Sequence, residues 1–148
     1  MNATQLFYQS HDGLQLFYRD AGAENAGTPV LCLPGLTRNS RDFEDLAAYL
    51  SDRRRVLCPD FRGRGYSDYD PEWKNYHPLT YVQDVWSLLD HLGVERVVVV
   101  GTSLGGLCAM AMSAAQHHRL AGVVMNDIGP EINPAGIARI QSYTGKQS

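Results

Sequence analysis

The residues around position 103 constrain the fold of this chain more than any other segment. Four consecutive valines at 97–100 are followed by the sequence G-T-S-L-G-G at 101–106, and an apolar run then continues to residue 115. A short β-branched run without polar alternation is typical of a strand that is buried on both faces. The apolar run has the length of a buried helix and is too short to span a bilayer. The segment therefore predicts a strand that turns sharply through Ser103 into a helix.

The rest of the chain repeats this alternation of strand and helix. An Asp-Gly pair at 12–13 between two aromatic-rich runs predicts a β-hairpin. Further strands are expected at residues 29–33, 56–58, 97–100 and 120–125. Helices are expected over 43–50 after Asn39 and Ser40, from a capping box at 80–83 to residue 92, over 104–117, and from 134. The pattern predicts an α/β fold: a mostly parallel sheet with an N-terminal antiparallel hairpin and helices on both faces.

Composition is that of an ordinary soluble domain, with 44% hydrophobic and 20% charged residues and a net charge of −3. The one basic run, at 53–55, is short and precedes a strand, so no nucleic-acid partner is expected. The three cysteines fit no zinc spacing and are expected to be free, buried thiols. The first residues lack a basic start and an apolar segment, which favours a cytoplasmic location and no membrane partner.

Residues 101–105 also fit the pattern G-x-S-x-G, which makes Ser103 a candidate nucleophile. The sharp turn crowds its neighbours, so small residues are needed beside the serine. The first N–H groups of the following helix point towards the Ser103 side chain, which makes the Leu104 N–H a candidate oxyanion donor. The alternative is a structural serine in a Gly-rich turn. A phosphate loop fits less well, because G-x-G-x-x-G is absent and neither glycine is followed by lysine. Ser67 is discounted, because no glycine stands two residues after it.

Three blocks of sequence together resemble the α/β-hydrolase family, in its serine-nucleophile branch. They are L-P-G-L at 33–36, D-F-R-G-R-G-Y-S at 60–67, and the turn at Ser103. The resemblance runs from the hairpin to Asp127 and covers the N-terminal half of the family's fold. It implies that the Leu36 N–H is the second oxyanion donor and that Asp60 and Arg62 are structural. It implies no metal and no organic cofactor.

The resemblance also implies a domain organisation and an activity. Residues 1–130 would form the N-terminal part of an incomplete α/β-hydrolase core, and residues 131–148 the start of a cap. The implied activity is that of a serine hydrolase that attacks a small-molecule ester, lactone or related carbonyl, including C–C bond hydrolysis, through an acyl-enzyme. A serine at this turn argues against the dehalogenase and epoxide-hydrolase branches, which use Asp. The alternative is a truncated, inactive hydrolase-fold chain or a non-catalytic binding module.

A serine nucleophile needs a base, and none of the five histidines is convincing. They stand in the hairpin, in the long loop before residue 78, and at the far ends of two helices: His11, His77, His91, His117 and His118. Asp127, at the end of the strand after the turn, is a possible triad acid; otherwise it lines the pocket or caps a helix. The family order of Ser, acid, His implies that the histidine follows residue 148. The chain is therefore expected to be a fragment whose open strand at 120–125 causes self-association.

Overall fold

The computed structural model describes residues 3–35 and 39–126 of the chain. Within them, six strands form one sheet in the order β1-β2-β4-β3-β5-β6. The strands are β1 Thr4–Gln9, β2 Gln15–Ala21, β3 Val30–Leu33, β4 Val56–Pro59, β5 Val97–Thr102 and β6 Leu120–Asn126. The β1–β2 and β2–β4 pairs are antiparallel, and the other pairs are parallel. The predicted α/β class and the N-terminal hairpin are thus confirmed, whereas the expected start of a cap at 131–148 lies outside the described residues.

Three α-helices connect the strands: α1 Glu44–Leu50, α2 Pro78–Leu92 and α3 Leu104–Gln116. A 3₁₀ turn precedes α1, and its N-cap is Asn39, whose side chain accepts a hydrogen bond of 2.9 Å from the Arg41 N–H. In the described ranges, no helix combines the length and the hydropathy that a bilayer span requires.

The start of α2 differs from the sequence prediction. The capping box at 80–83 predicted a helix that begins after Thr80, but α2 begins at Pro78. The N-cap is His77, whose Nδ1 accepts a hydrogen bond of 3.1 Å from the Leu79 N–H. Proline at the first helical position has its φ preset for a helix and loses no intrahelical bond, which explains the earlier start. The predicted stop is confirmed, since Gly93 adopts a φ of 68° there.

The sheet is covered by helices on both faces, as the uninterrupted apolar strands predicted. Alternate residues of β3 enter two different clusters: Leu31 and Leu33 pack beneath α2 and α3, and Val30 and Cys32 pack beneath α1. The same alternation separates the odd-numbered and even-numbered valines of β5. The three cysteines are free and buried, as expected.

The largest fully buried side chain among the described residues is a charged one, Arg62, in the loop after β4. Its guanidinium forms ion pairs with Asp12 at 2.8 Å, Asp70 at 2.8 Å and Asp84 at 2.5 Å. These carboxylates come from the hairpin turn, from the loop itself and from the middle of α2. One arginine therefore joins three separate parts of the chain, and the structural role expected of Arg62 agrees with this geometry.

The pKa values of the three carboxylates around Arg62 are shifted in different directions. Hydrogen bonds from Arg62 hold the pKa of Asp12 well below its usual range. The pKa of Asp70 is also lowered, first by the Glu72 N–H and then by Asn75 and Arg62. Burial raises the pKa of Asp84, and its hydrogen bonds to Arg62 offset this only in part. The cluster therefore holds more negative charge than the arginine neutralises, and Asp84, the most buried of the three, bears most of the desolvation cost.

Replacing this arginine should destabilise the fold strongly. Arg62→Leu leaves Asp70 and Asp84 buried without a counter-charge, so the free energy of unfolding at pH 7 should fall by about 3–5 kcal/mol. Urea denaturation should show this loss, whereas Arg53→Leu, at an exposed arginine, should change stability by less than about 0.5 kcal/mol.

The pH dependence supplies a second test of the same cluster. In the Arg62→Leu variant, the unpaired carboxylates have pKa values raised above those of the unfolded chain, so protonation at lower pH restores stability. In the wild type, the lowered pKa values of Asp12 and Asp70 make acid destabilising. The first effect begins as the pH falls from 7, and the second begins near the pKa of a free carboxyl group, about 4, so the difference in stability should shrink from pH 7 to about pH 4. Equal losses for the two leucine variants, or a constant difference across pH, would contradict this assignment.

Candidate active site

Ser103 occupies the turn between β5 and α3 in an unusual backbone conformation. Its φ is 53° and its ψ is −110°, and it is the one non-glycine residue with positive φ in the described part of the chain. Such a conformation costs a non-glycine residue about 1–3 kcal/mol. A serine at a helix N-cap usually bonds an amide of the first turn, but the Ser103 side chain makes no such bond and is exposed. The turn therefore presents an exposed hydroxyl, not used as a helix cap, at the carboxyl edge of the sheet.

Close packing of three glycines produces this turn. A Cβ atom placed on Gly105 would overlap the carbonyl group of Leu33 at the end of β3. A Cβ on Gly101 would lie 2.6 Å from the Gly105 carbonyl oxygen, and one on Gly106 would lie 2.5 Å from the Met125 Cε. The obstacle is backbone at Gly101 and Gly105, whereas at Gly106 it is the end of the flexible Met125 side chain. The first turn of α3 thus rests directly on the ends of β3 and β5.

The first N–H groups of α3 lie next to Ser103. The N–H groups of Gly106 and Leu107 both donate to the Ser103 carbonyl, at 2.9 and 3.1 Å. The N–H of Leu104, the first residue of the helix, has no acceptor within the helix by virtue of its position. Together with the helix dipole, this leaves a donor beside Ser103 for an oxygen that acquires negative charge.

The loop after β3 begins beside this turn. Leu33 is the register partner of Gly101, so the loop leaves β3 next to Ser103. It is fixed again at Ser40, whose N–H donates to Asp60 at 2.7 Å and whose Oγ accepts from Arg19 at 3.0 Å. Leu36, the expected second oxyanion donor, lies between these two anchors but outside the described residues.

Asp60 is a positioning residue for two loops at once. Besides the Ser40 N–H, its carboxylate accepts the Tyr66 N–H at 3.0 Å. Gly65, with a φ of 50°, packs so closely against that carboxylate that a Cβ would overlap it. The loops after β3 and β4 are therefore held together at the edge where Ser103 lies, in agreement with the structural role expected of Asp60.

Ser67, which was discounted as a nucleophile, has a hydroxyl that is hydrogen-bonded on both sides. Its hydroxyl donates to the Asp60 carbonyl at 2.8 Å and accepts the Phe17 N–H at 2.9 Å. A serine hydroxyl engaged on both sides is unsuited to act as a nucleophile.

Four of the five histidines lie away from Ser103. His117 and His118 follow α3, which has 13 residues and is therefore about 20 Å long. His91 is at the far end of α2, and His11 is in the turn between β1 and β2, which the sheet order separates from β5. His77 is at the same edge as Ser103, but its Nδ1 caps α2.

The candidate acid, Asp127, lies outside the described residues. The residue before it, Asn126, ends β6 and is the register partner of Thr102. The chain therefore reaches the carboxyl edge of the sheet beside Ser103 immediately before Asp127.

One group of side chains in the described ranges has the composition of a metal site. The ligand atoms of His11, Asp12 and Asp84 lie within 4.8 Å of one another. Both carboxylates already bond Arg62, so a metal ion there would face the guanidinium charge. The group is better explained as part of the buried ion-pair cluster.

Comparisons with known proteins agree on one family. The family model for the alpha/beta hydrolase fold matches residues 28–145. The 3-hydroxybutyrate-oligomer hydrolase of Cupriavidus necator is 35% identical over 131 residues, which are 88% of this chain and 45% of that protein. An alpha/beta hydrolase from Novosphingobium aromaticivorans has a crystal structure that superposes with a TM-score of 0.80 at 49% identity, over 98% of this chain and 51% of that one.

The similar proteins do not share one chemistry. Haloalkane dehalogenase 2 of Mycobacterium tuberculosis (strain ATCC 25618 / H37Rv) is 31% identical over 70% of this chain and 36% of its own length. An epoxide hydrolase of Vigna radiata superposes with a TM-score of 0.77 over 94% of this chain and 46% of that one, but at 20% identity this shows the fold alone. The chain spans about half the length, or less, of these relatives.

The packing at the turn predicts a sharp difference between two glycines. Gly105→Ala should lower the free energy of unfolding by at least about 2 kcal/mol, because its methyl group would overlap the Leu33 carbonyl. Gly122→Ala is the matched control, since the nearest atom to its Cβ, Val98 Cγ1, is 4.0 Å away. Thermal and urea denaturation should show a change of less than about 1 kcal/mol for the control. Equal stability of the two variants would mean that α3 does not rest on β3.

Proposed function

Because this chain belongs to the alpha/beta hydrolase family, we propose that it contributes the nucleophile of a serine hydrolase, and that this nucleophile is Ser103. The observation that carries the proposal is the strained, exposed conformation of Ser103 between three close-packed glycines. Backbone strain persists only where the surrounding packing enforces it, and it is concentrated at functional sites.

The proposed reaction forms and breaks an acyl-enzyme. The Ser103 Oγ attacks the substrate carbonyl carbon while a base takes its proton. The oxygen that becomes negative is bound by the N–H groups of Leu104 and Leu36, at the positive end of α3. Collapse of this intermediate breaks the bond to the leaving group, which takes the proton from the base. Water then attacks the acyl carbon while the base takes its proton, and the second collapse breaks the bond to the Ser103 Oγ, which regains a proton from the base.

We propose an ester, a lactone or a related carbonyl compound as the small-molecule substrate, with C–C bond hydrolysis in the same class. The relative from Cupriavidus necator supports the ester class, since oligomers of a hydroxy acid such as 3-hydroxybutyrate are joined by ester bonds. Serine rather than aspartate at position 103 argues against dehalogenase and epoxide-hydrolase chemistry, which the resemblance associates with aspartate.

The proposed reaction also needs a base that activates Ser103 and an acid that orients this base. None of the five histidines is suitably placed, so we assign the base to the half of the fold that the longer relatives possess and this chain does not cover. Asp127 is the acid candidate within the chain because it follows the strand partner of Thr102. An acid on a later strand is the alternative.

A second function is favoured by the same histidine positions. Without a base, the chain would be a non-catalytic member of the family, either an inactive part of a hydrolase or a binding module. It would have the same fold and the same turn, but Ser103 would not be activated.

We also propose that the protein works in the cytoplasm. Three free, buried thiols suit a reducing compartment. No nucleic-acid or membrane partner is proposed.

Covalent labelling discriminates between the two functions. A fluorophosphonate probe should label Ser103 when the chain is joined to the C-terminal half of the Novosphingobium hydrolase, and label the chain alone at least 100-fold more slowly, because proton abstraction contributes about 10²–10⁴ in rate. In-gel fluorescence and peptide mapping would locate the adduct.

Two serine variants make this experiment specific. Ser103→Ala should abolish labelling, whereas Ser67→Ala should retain it if the variant is folded. If the joined protein folds, as judged by circular dichroism, yet Ser103 stays unlabelled, the non-catalytic function is correct.

The isolated chain should associate with itself. Within the described sheet, β6 pairs only with β5, so its other edge offers unpaired backbone groups. Size-exclusion chromatography with light scattering should find dimers or larger species at micromolar concentration. A stable monomer at that concentration would contradict this prediction.

A further inference from the structure

Strand β1 forms the edge of the sheet opposite to β6, and among the described residues it pairs with β2 alone. Its sequence, T-Q-L-F-Y-Q at 4–9, contains no charged residue and no proline. Its register with β2 runs without a bulge. Edge strands of natural proteins normally carry a charge, a proline or a bulge, because their unpaired backbone groups would otherwise bind another strand. The β1 edge lacks these three protections.

The hydrogen bonds of the hairpin determine which backbone groups of β1 face the open edge. The Phe17 carbonyl accepts the Asp60 N–H at 2.9 Å, so the odd-numbered residues of β2 bond away from β1. The Ser10 N–H donates to the Leu14 carbonyl at 2.9 Å, so the even-numbered residues of the two strands bond each other. The backbone groups directed at the open edge are therefore those of Gln5, Phe7 and Gln9.

Phe7 is the exposed centre of this edge. Its ring packs against its register partner Phe17 with the centroids 5.4 Å apart, but its side chain is still 47% exposed. The next residue, Tyr8, points to the opposite face, where it is buried in the cluster beneath α2. Gln5 and Gln9 share the face of Phe7 and are exposed as well. The edge thus presents an apolar ring between two uncharged amide side chains.

The segment Q-L-F-Y-Q at 5–9 is nearly symmetric about Phe7. A second copy of β1 that runs antiparallel about a two-fold axis at Phe7 would place Gln5 opposite Gln9, and Leu6 opposite Tyr8. Each residue with a free N–H and C=O would then face another such residue. An axis at Leu6 or Tyr8 would instead bring together backbone groups that already bond β2. The side chains and the backbone therefore favour the same pairing.

We propose that β1 is a self-complementary interface through which two copies of this chain pair antiparallel, with Phe7 on the two-fold axis. The two sheets become one continuous sheet, in which the two Phe7 rings are neighbours across the axis. Aromatic side chains directly opposite each other on neighbouring strands stabilise the pairing. No like charges meet, because residues 4–9 are uncharged. A single added strand pair is a small contact, so the dimer belongs to the class of weak interfaces.

A strand of another protein is a poorer occupant of this edge. Unpaired backbone groups accept any extended segment. The symmetry of the side chains about Phe7, however, matches the edge of a second copy and of no other strand in particular. The interface is also independent of the chemistry at Ser103 and of the edge of β6, which lies on the other side of the sheet.

Disulfide cross-linking of the full chain tests the register. The three native thiols are buried, so mild oxidation by air and copper-phenanthroline should join only cysteines that are introduced at exposed positions. Phe7→Cys should form a disulfide-linked dimer, because residues that exchange both hydrogen bonds have Cα atoms about 5.5 Å apart. Gln5→Cys, on the same strand and face, is the matched control. Its two copies would lie about 14 Å apart, so its dimer should form at least 10-fold more slowly.

A mixture of two variants tests the same register without altering Phe7. Gln9→Cys alone should cross-link as slowly as Gln5→Cys alone. An equal mixture of Gln5→Cys and Gln9→Cys should cross-link at least 10-fold faster than either, because these positions are opposite each other in the dimer. Non-reducing gels of differently tagged chains would identify the mixed dimer, and circular dichroism should confirm that the variants fold.

A charge exchange at Phe7 tests the contact on the axis. If both chains of the Gln5→Cys and Gln9→Cys mixture also carry Phe7→Lys, like charges meet and cross-linking should slow at least 10-fold. If one chain carries Phe7→Lys and the other Phe7→Glu, opposite charges meet and most of the rate should return. Variants at β1 leave the β6 edge unchanged, so association through β6 cannot produce this pattern.

Three results would overturn the proposal. The first is equal cross-linking of Phe7→Cys and Gln5→Cys. The second is a mixture of Gln5→Cys and Gln9→Cys that reacts no faster than its components, which would leave the edge for a strand of another protein or for none. The third is a rate that does not depend on the charges placed at Phe7. Ser103→Ala should cross-link in the same way as the parent chain, so failure of the proposed function would leave this inference in place.

Discussion

The direct contact between the first turn of α3 and the end of β3 determines the rest of the site. Gly105 lies so close to the Leu33 carbonyl that no side chain fits between them. To bring the helix that near, the chain must turn at a single residue, and Ser103 accepts the positive φ. The same contact places the end of β3 beside the first turn of α3. The nucleophile candidate and the Leu104 N–H beside it are thus consequences of one packing constraint.

A second constraint fixes the loops that surround the turn. Arg62 is buried among three carboxylates from three parts of the chain, and Asp60 joins the loops after β3 and β4. Burying an arginine with Asp70 and Asp84 is costly, and removing the arginine would leave these two carboxylates charged where water hardly reaches them. The loops at the carboxyl edge are therefore held by charge and hydrogen bonds, while the strands below them are held by apolar packing.

The strands, the hairpin and the turn at Ser103 could be predicted because each depends on local sequence. Valines without polar alternation specify a buried strand, and the spacing of Gly101 and Gly105 around Ser103 specifies a tight turn. The partners of Arg62 could not be predicted in this way. Asp12, Asp70 and Asp84 are far apart in sequence, and Asp84 sits among the apolar positions of α2 with no local signal of its partner. An aspartate among the apolar positions of a predicted helix indicates a buried partner but does not identify it.

The structure differs from the sequence prediction at the start of α2 and at the exposed Val124 of β6, for different reasons. The capping box at Thr80 competed with Pro78, and the proline with its His77 cap prevailed because its backbone is already restricted to the helical φ. The exposure of Val124 depends on what packs beside β6 and not on its own sequence, which reads as a buried strand. Leu36 and Asp127 remain predictions, since both lie outside the described residues.

The most direct test is a crystal structure of the protein joined to the C-terminal half of the Novosphingobium aromaticivorans hydrolase and phosphonylated. We expect phosphorus bonded to the Ser103 Oγ, a Ser103 φ near 53° and a phosphonyl oxygen within about 3 Å of the Leu104 and Leu36 nitrogens. Phosphorus on another residue, or a phosphonyl oxygen directed away from both amides, would contradict it.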